Sequence, residues 1–139
     1  MTLVVINKCY GGFGLSHEAV MKYAKRKKMR LYAFINGRKE DGMLDFDKWI
    51  PYDGKTDTLL VHYAKKPIKS SKGLDASYFS LREISRDDPD LVAVVKEMGN
   101  KANGQCAKLG IVKIPDDVKW EISEYDGMEN VSEAHRNWY

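Results

Sequence analysis

The 139-residue sequence predicts an α/β or α+β fold: a mixed sheet of about five strands with two to three helices, in the order β-α-β-β-α-β-β-α. Three observations predict it. Short apolar runs at residues 2–6, 30–35 and 109–114 have strand length. Two segments carry apolar side chains at helical spacing behind recognisable caps, Ser16 and Asp88-Pro89. Gly, Pro, Asn and Asp clusters punctuate the chain between these segments.

Residues 2–6 are apolar on both faces, as in a strand central in its sheet. Ser16 is placed to cap a helix, with Glu18 in its first turn and Leu15 and Val20 spaced for a hydrophobic staple. Ala19, Val20, Tyr23 and Ala24 form the inner stripe, and Lys22, Lys25, Arg26, Lys27 and Lys28 crowd the rest. A second strand over 30–35 ends at Asn36-Gly37. A strand–helix–strand unit this short predicts a parallel, right-handed crossover. Residues 37–57 are polar and interrupted by Gly42, Pro51 and Gly54, with Met43, Leu44, Phe46, Trp49 and Ile50 as scattered anchors. They read as an ordered excursion within a single domain.

A third strand is expected over 58–64, followed by a solvated loop over 65–73. Asp88 and Pro89 then start a helix whose core stripe is Leu91, Val94, Val95, Met98 and Ala102, with Asn103-Gly104 as its C-cap. Strands follow over 109–114 and 118–125, joined at Pro115-Asp116-Asp117. Val118, Trp120 and Ile122 alternate inward in the second. A short last helix is expected after Asp126-Gly127, carrying Met128, Val131 and Trp138 onto the core.

No apolar run approaches a membrane span or a signal-peptide core, so a cytoplasmic protein with no membrane partner is expected. Cys9 and Cys106 lack CxxC or metal-finger spacing and read as free thiols in a reducing compartment. The net charge of +3 is unevenly spread. Residues 1–72 hold 15 Lys/Arg against 7 Asp/Glu, and residues 73–139 hold 8 against 13. Such asymmetry suits an anionic ligand, a nucleic-acid face or complementary ends that self-associate, or it is merely a solvated surface. With Trp138-Tyr139 at its end, the chain is expected to be a homo-oligomer. No strong nucleic-acid partner is expected, because the basic residues 22–30 surround the helix instead of forming one stripe, and no recognised binding motif is present.

The stretch NKCYGGFGLSHEA places three glycines within four residues, between a strand and a helix start. Backbone amides there can bind an anion, or the glycines can form only a tight corner. The turn is neither a Walker motif nor a dinucleotide fingerprint, since no Gly-Lys-Ser/Thr and no third fingerprint glycine follow. The candidate ligand-binding residues are Asn7, Lys8, Tyr10, Gly11, Gly12, Phe13, Gly14 and Ser16 around the turn, with Arg82 and Arg86 as fork-shaped donors. The alternative for the arginines is pairing with Asp87, Asp88 or Asp90. A positive φ is expected in the glycine turn, with the amides after Gly14 facing a pocket. His17, His62 and His135 have no metal-ligand spacing, and no nucleophile–base signature is present. Neither cofactor, metal nor catalytic residue is expected, with Cys9 the weak exception.

Two blocks, INKCYGGFGLSHEAVMKYA and SRDDPDLVAVVKEMGNKANG with IVKIPDDVKWEISEYDGMENVSEAHRNW, resemble a family of small proteins of tailed bacteriophages and prophages. The resemblance covers roughly half the chain and little of residues 37–75. It implies expression in a bacterial cytoplasm and an accessory or anti-defence role. On that basis a non-enzymatic binder of a small anionic, nucleotide-like ligand is expected, acting as a sponge for a host immune signal. The alternatives are a protein-binding inhibitor of a host enzyme and a weak nucleic-acid binder.

Overall fold

Eight strands, more than the five expected, and two α-helices make up the secondary structure of the described residues in the computed structural model, which are 1–55, 61–67 and 78–134. In chain order they are β1 (Thr2–Asn7), α1 (His17–Arg26), β2 (Tyr32–Arg38), β3 (Leu44–Pro51), β4 (His62–Ala64), β5 (Tyr78–Phe79), α2 (Pro89–Met98), β6 (Leu109–Ile114), β7 (Trp120–Tyr125) and β8 (Met128–Glu133). The strands form three sheets, β1-β6, β3-β2-β4-β5 and β7-β8, and every pairing is antiparallel. The fold is therefore mixed α+β. The expected parallel crossover is absent, because β1 and β2 belong to different sheets. The chain divides into two compact units, one of Met1–Tyr23 with the chain from Ile84 onward, the other of Ala24–Glu83.

In the first unit β1 pairs with β6, Thr2 opposite Ile114 and Asn7 opposite Leu109. Val4, Val5 and Ile6 are buried, as a strand apolar on both faces requires. Yet β1 is not central in a sheet. Its second edge meets the segment before α2, where the Val5 N–H donates to the Arg86 carbonyl at 2.8 Å. Ser16 caps α1, its Oγ accepting from the Ala19 N–H, and Leu15 and Val20 are both buried as a staple would have them. Asp88 caps α2 through the Asp90 N–H, with Pro89 as the first helical residue. Leu91, Val94, Val95 and Ala102 are buried. The α-helix stops earlier than expected: Gly99, at φ +58°, closes it by donating to the Val95 carbonyl. Asn103 instead ends the 3-10 turn Gly99–Ala102.

The expected last helix is a strand. Asp126 and Gly127, both at positive φ, form a two-residue turn that returns the chain antiparallel from β7 to β8. Met128 and Val131 thus belong to β8, while Trp138 and His135 lie outside the described residues.

In the second unit β2 is flanked by β3 and β4. Residues 37–57 therefore contain a paired strand. Its signature was hidden by Asp45 and Asp47 and by a bulge: Asn36 faces Trp49, but Gly37 faces Asp45, so Phe46-Asp47-Lys48 loop out. Of the expected strand over 58–64, residues 62–64 are β4, and 58–60 lie outside the described residues. Phe34, Trp49 and Ala64 form a buried cluster with Tyr32 packed against it.

The Trp49 ring stacks on His62 with centroids 4.2 Å apart. Asn36 Nδ2 donates to the Phe46 carbonyl at 3.3 Å, so its Oδ1 accepts from His62 Nε2 at 3.0 Å. Burial lowers the His62 pKa below its ordinary value, and burial lowers that of His17 too, against the opposing charge of Glu18. A histidine held neutral on folding contributes stability that is complete above its unfolded pKa, about 6.5, and is lost as pH falls below that. The urea midpoint is expected to fall between about pH 7.5 and pH 5, and His62→Gln to flatten part of that slope. A slope unchanged in His62→Gln would remove His62 as its source.

Candidate functional site

Asn7 is fully buried where β1 enters the glycine turn. Its Nδ2 donates to the carbonyls of Cys9 and Gly127, each at 2.7 Å, and its Oδ1 accepts the Lys108 N–H at 2.8 Å. One amide thus ties the glycine turn, the start of β6 and the β7–β8 turn together. The Asn7 backbone N–H donates to Glu129 Oε1 at 2.8 Å.

Glu129 also receives the Arg86 fork, Nη1 at 2.6 Å and Nη2 at 2.9 Å. Arg86 Nη1 reaches the Val5 carbonyl at 3.3 Å, and its guanidinium lies 3.6 Å from the centroid of the Phe13 ring. The Glu129 side chain is 8% exposed, so this pair sits in a medium where an unpaired charge is costly. Its carboxylate faces Arg86, where the sequence had offered Asp87, Asp88 or Asp90.

Gly11 and Gly12 have φ of +132° and +118°, as expected of the turn, whereas Gly14 does not. The Gly11 N–H donates to the Asp126 carbonyl at 3.2 Å. The β7–β8 turn presses so close that a Cβ on Gly127 would lie 2.6 Å from Gly11 N. Gly104 packs equally tightly on Gly14, its N–H donating to the Gly14 carbonyl at 3.0 Å. Of the amides after Gly14, that of Ser16 is taken up within the fold. Ser16 N–H donates to the Ala102 carbonyl at 2.9 Å, and Leu15 bridges Asn103. Ser16 Oγ donates to the Lys101 carbonyl besides capping α1.

What faces outward is a narrow rim. Lys8 is exposed and its stem lies over Gly110, Tyr10 is 61% exposed, and a Cβ on Gly12 would meet open space. Arg82 is exposed on the 3-10 turn Leu81–Glu83 of the other unit. A concavity of about 470 Å³ in the first unit, lined by Thr2, Leu3, Asp87, Val92 and Lys96 among others, includes none of the ten candidate residues.

Three residues that complete this junction are not among the candidates: Glu129, and Gly104 and Gly127, which the sequence places at a helix C-cap and before a last helix. Asp126-Gly127 between two alternating segments is the hairpin signal that identifies the last of them. The hairpin of β2 and β3 adds a surface of another kind, exposing Met43 (65%), Leu44 (41%), Phe46 (68%) and Ile50 (38%). Among the described residues no helix is long and apolar enough to cross a membrane. Compared with family models, curated proteins and solved structures, the chain matches none.

Proposed function

We propose that this chain is a non-enzymatic binding protein that engages another protein through the β2–β3 hairpin. The observation that carries this reading is Phe46, 68% exposed in a bulge, with Met43, Leu44 and Ile50 close by in the chain. Apolar side chains gathered this way remain in water at a cost that a partner's surface removes. The bulge and Asp45 and Asp47 discourage simple strand addition at the edge, which favours recognition by side chains. Behind the glycine turn, Asn7, Arg86 and Glu129 are bonded to one another and hold loops together, which supports binding over catalysis. The phage setting and anti-defence role implied by the sequence resemblance belong to this proposal.

A second reading, capture of a small anionic, nucleotide-like ligand without turnover, is favoured by the rim of Lys8, Tyr10 and Gly12. There one positive charge, one exposed ring and unobstructed backbone lie within five residues. Arg86 supports the loop from behind in this version and is not itself a ligand.

Native mass spectrometry of the protein purified from infected cells separates the two readings. A co-purifying polypeptide lost in Phe46→Asp, with stability within about 0.5 kcal/mol of the parent, is the expected result. A retained small molecule lost in Lys8→Ala would move the function to the rim. A second copy of the chain lost in Phe46→Asp would assign the hairpin to a homo-oligomer. A bare monomer from cells would overturn both readings.

A further inference from the structure

Cys9 and Cys106, 97 residues apart in sequence, are brought together by the packing of the glycine turn on the loop before β6. Cys9 Sγ lies 3.4 Å from the Cys106 carbonyl oxygen, and a Cβ on Gly11 would lie 3.0 Å from Cys106 Cβ. Both are free thiols, Cys9 half-buried and Cys106 exposed. We propose that they form a dithiol–disulfide pair that latches the glycine turn to the loop before β6, the oxidant being a low-molecular-weight disulfide.

The geometry brings the two residues close to the range a disulfide needs. Within one residue Cβ is about 3 Å from the carbonyl oxygen, so Cys9 Sγ is within roughly 6 Å of Cys106 Cβ. Closing the bond requires that separation to fall to about 3 Å. Cys106 sits in an exposed turn closed by the Ala107 N–H on the Gly104 carbonyl, where its side chain is free to turn about the Cα–Cβ bond. Gly11 has no side chain to stand between them.

Exposure sets the order of the steps. The Cys106 thiol loses its proton to solvent and attacks the small disulfide. A protein–small-molecule S–S bond forms, the original S–S bond breaks, and one thiolate leaves. Cys9, its proton also passing to solvent, attacks the Cys106 sulfur and expels the second thiolate. Two protein thiols are oxidised to one disulfide and one small disulfide is reduced to two thiols. The Cys9 thiol now rests 3.4 Å from Asn7 Oδ1, and bond formation removes that S–H donor from the junction while leaving the two Asn7 Nδ2 bonds in place.

The test is incubation of the intact chain with oxidised glutathione, followed by alkylation with and without reductant and intact-mass measurement. The expected result is a monomer lighter by two hydrogens, with loss of both alkylatable thiols and their return on reduction. Cys106→Ser is expected to lose the internal disulfide, and Cys9→Ser to stop at the glutathione adduct on Cys106. Should Cys9→Ser fail to fold, peptide mapping of the oxidised parent chain for a Cys9–Cys106 cross-link decides the matter alone. A parent chain that stops at a glutathione adduct, keeps both thiols, or cross-links only between molecules would overturn the proposal.

Discussion

Replacing Glu129 with alanine is expected to destabilise the first unit by about 3 kcal/mol or more, the usual cost of leaving a largely buried charge without its partner. The carboxylate does three things at once. It accepts both arms of the Arg86 fork, it accepts the Asn7 N–H, and it holds the guanidinium over Phe13. Without it, Arg86 keeps only a 3.3 Å contact to the Val5 carbonyl and the ring beneath it. Arg86→Lys should recover little, because an ammonium cannot present two parallel donors to one carboxylate. The double change Arg86→Met with Glu129→Leu should recover much of the loss, since neither charge is then stranded. Urea unfolding of the four proteins checks this. A Glu129→Ala loss below about 1 kcal/mol would show the pair to be worth no more than an exposed one.

Gly127→Ala is expected to be comparably severe, at about 3 kcal/mol, for a different reason. At φ +90° any Cβ costs about 1–2 kcal/mol. Here that Cβ also meets Gly11 backbone, N at 2.6 Å and C at 2.7 Å, and backbone cannot rotate away as a flexible side chain can. Overpacking of this kind adds about 1–3 kcal/mol. Gly54→Ala is the control: its φ is +78°, nothing lies within 4 Å, and only the conformational part should be lost. Thermal unfolding of both variants separates the terms. Equal losses would mean that the β7–β8 turn draws back from the glycine turn at no cost.

The sequence made some of this architecture legible and concealed the rest for identifiable reasons. Caps speak locally, so Ser16, Asp88 and Pro89 located both helices. Strands with a mostly apolar run, β1 and β6, were equally plain. What failed was partnership. Nothing in residues 2–6 says that their second edge meets Arg86 instead of another strand. β3 was concealed because Lys48 and the bulge interrupt the alternation begun by Leu44 and Phe46, and the buried ring is the out-of-phase Trp49. The glycine turn was visible as a special place, and its positive φ followed from composition alone. Its cause was not visible, since the residues that make it necessary, Gly104, Cys106 and Gly127, lie about ninety or more positions away. Arg86 looked like a ligand donor for the same reason: its partner, Glu129, sits 43 residues downstream.

These separations also constrain how the chain can fold as it is made. β1 emerges before the rest of the first unit, but its pairing partner begins at Leu109 and the carboxylate that holds Asn7 and Arg86 is at position 129. The first unit therefore cannot close until position 129 has left the ribosome. Hairpin β2–β3 needs no such wait, since every residue of its ladder lies between Phe34 and Pro51. Synthesis thus presents an early, locally closed hairpin with Phe46 already in place, while the apolar strand Val4-Val5-Ile6 stays unpaired behind it. The interval between those two events is when this protein is most open to aggregation or to a chaperone.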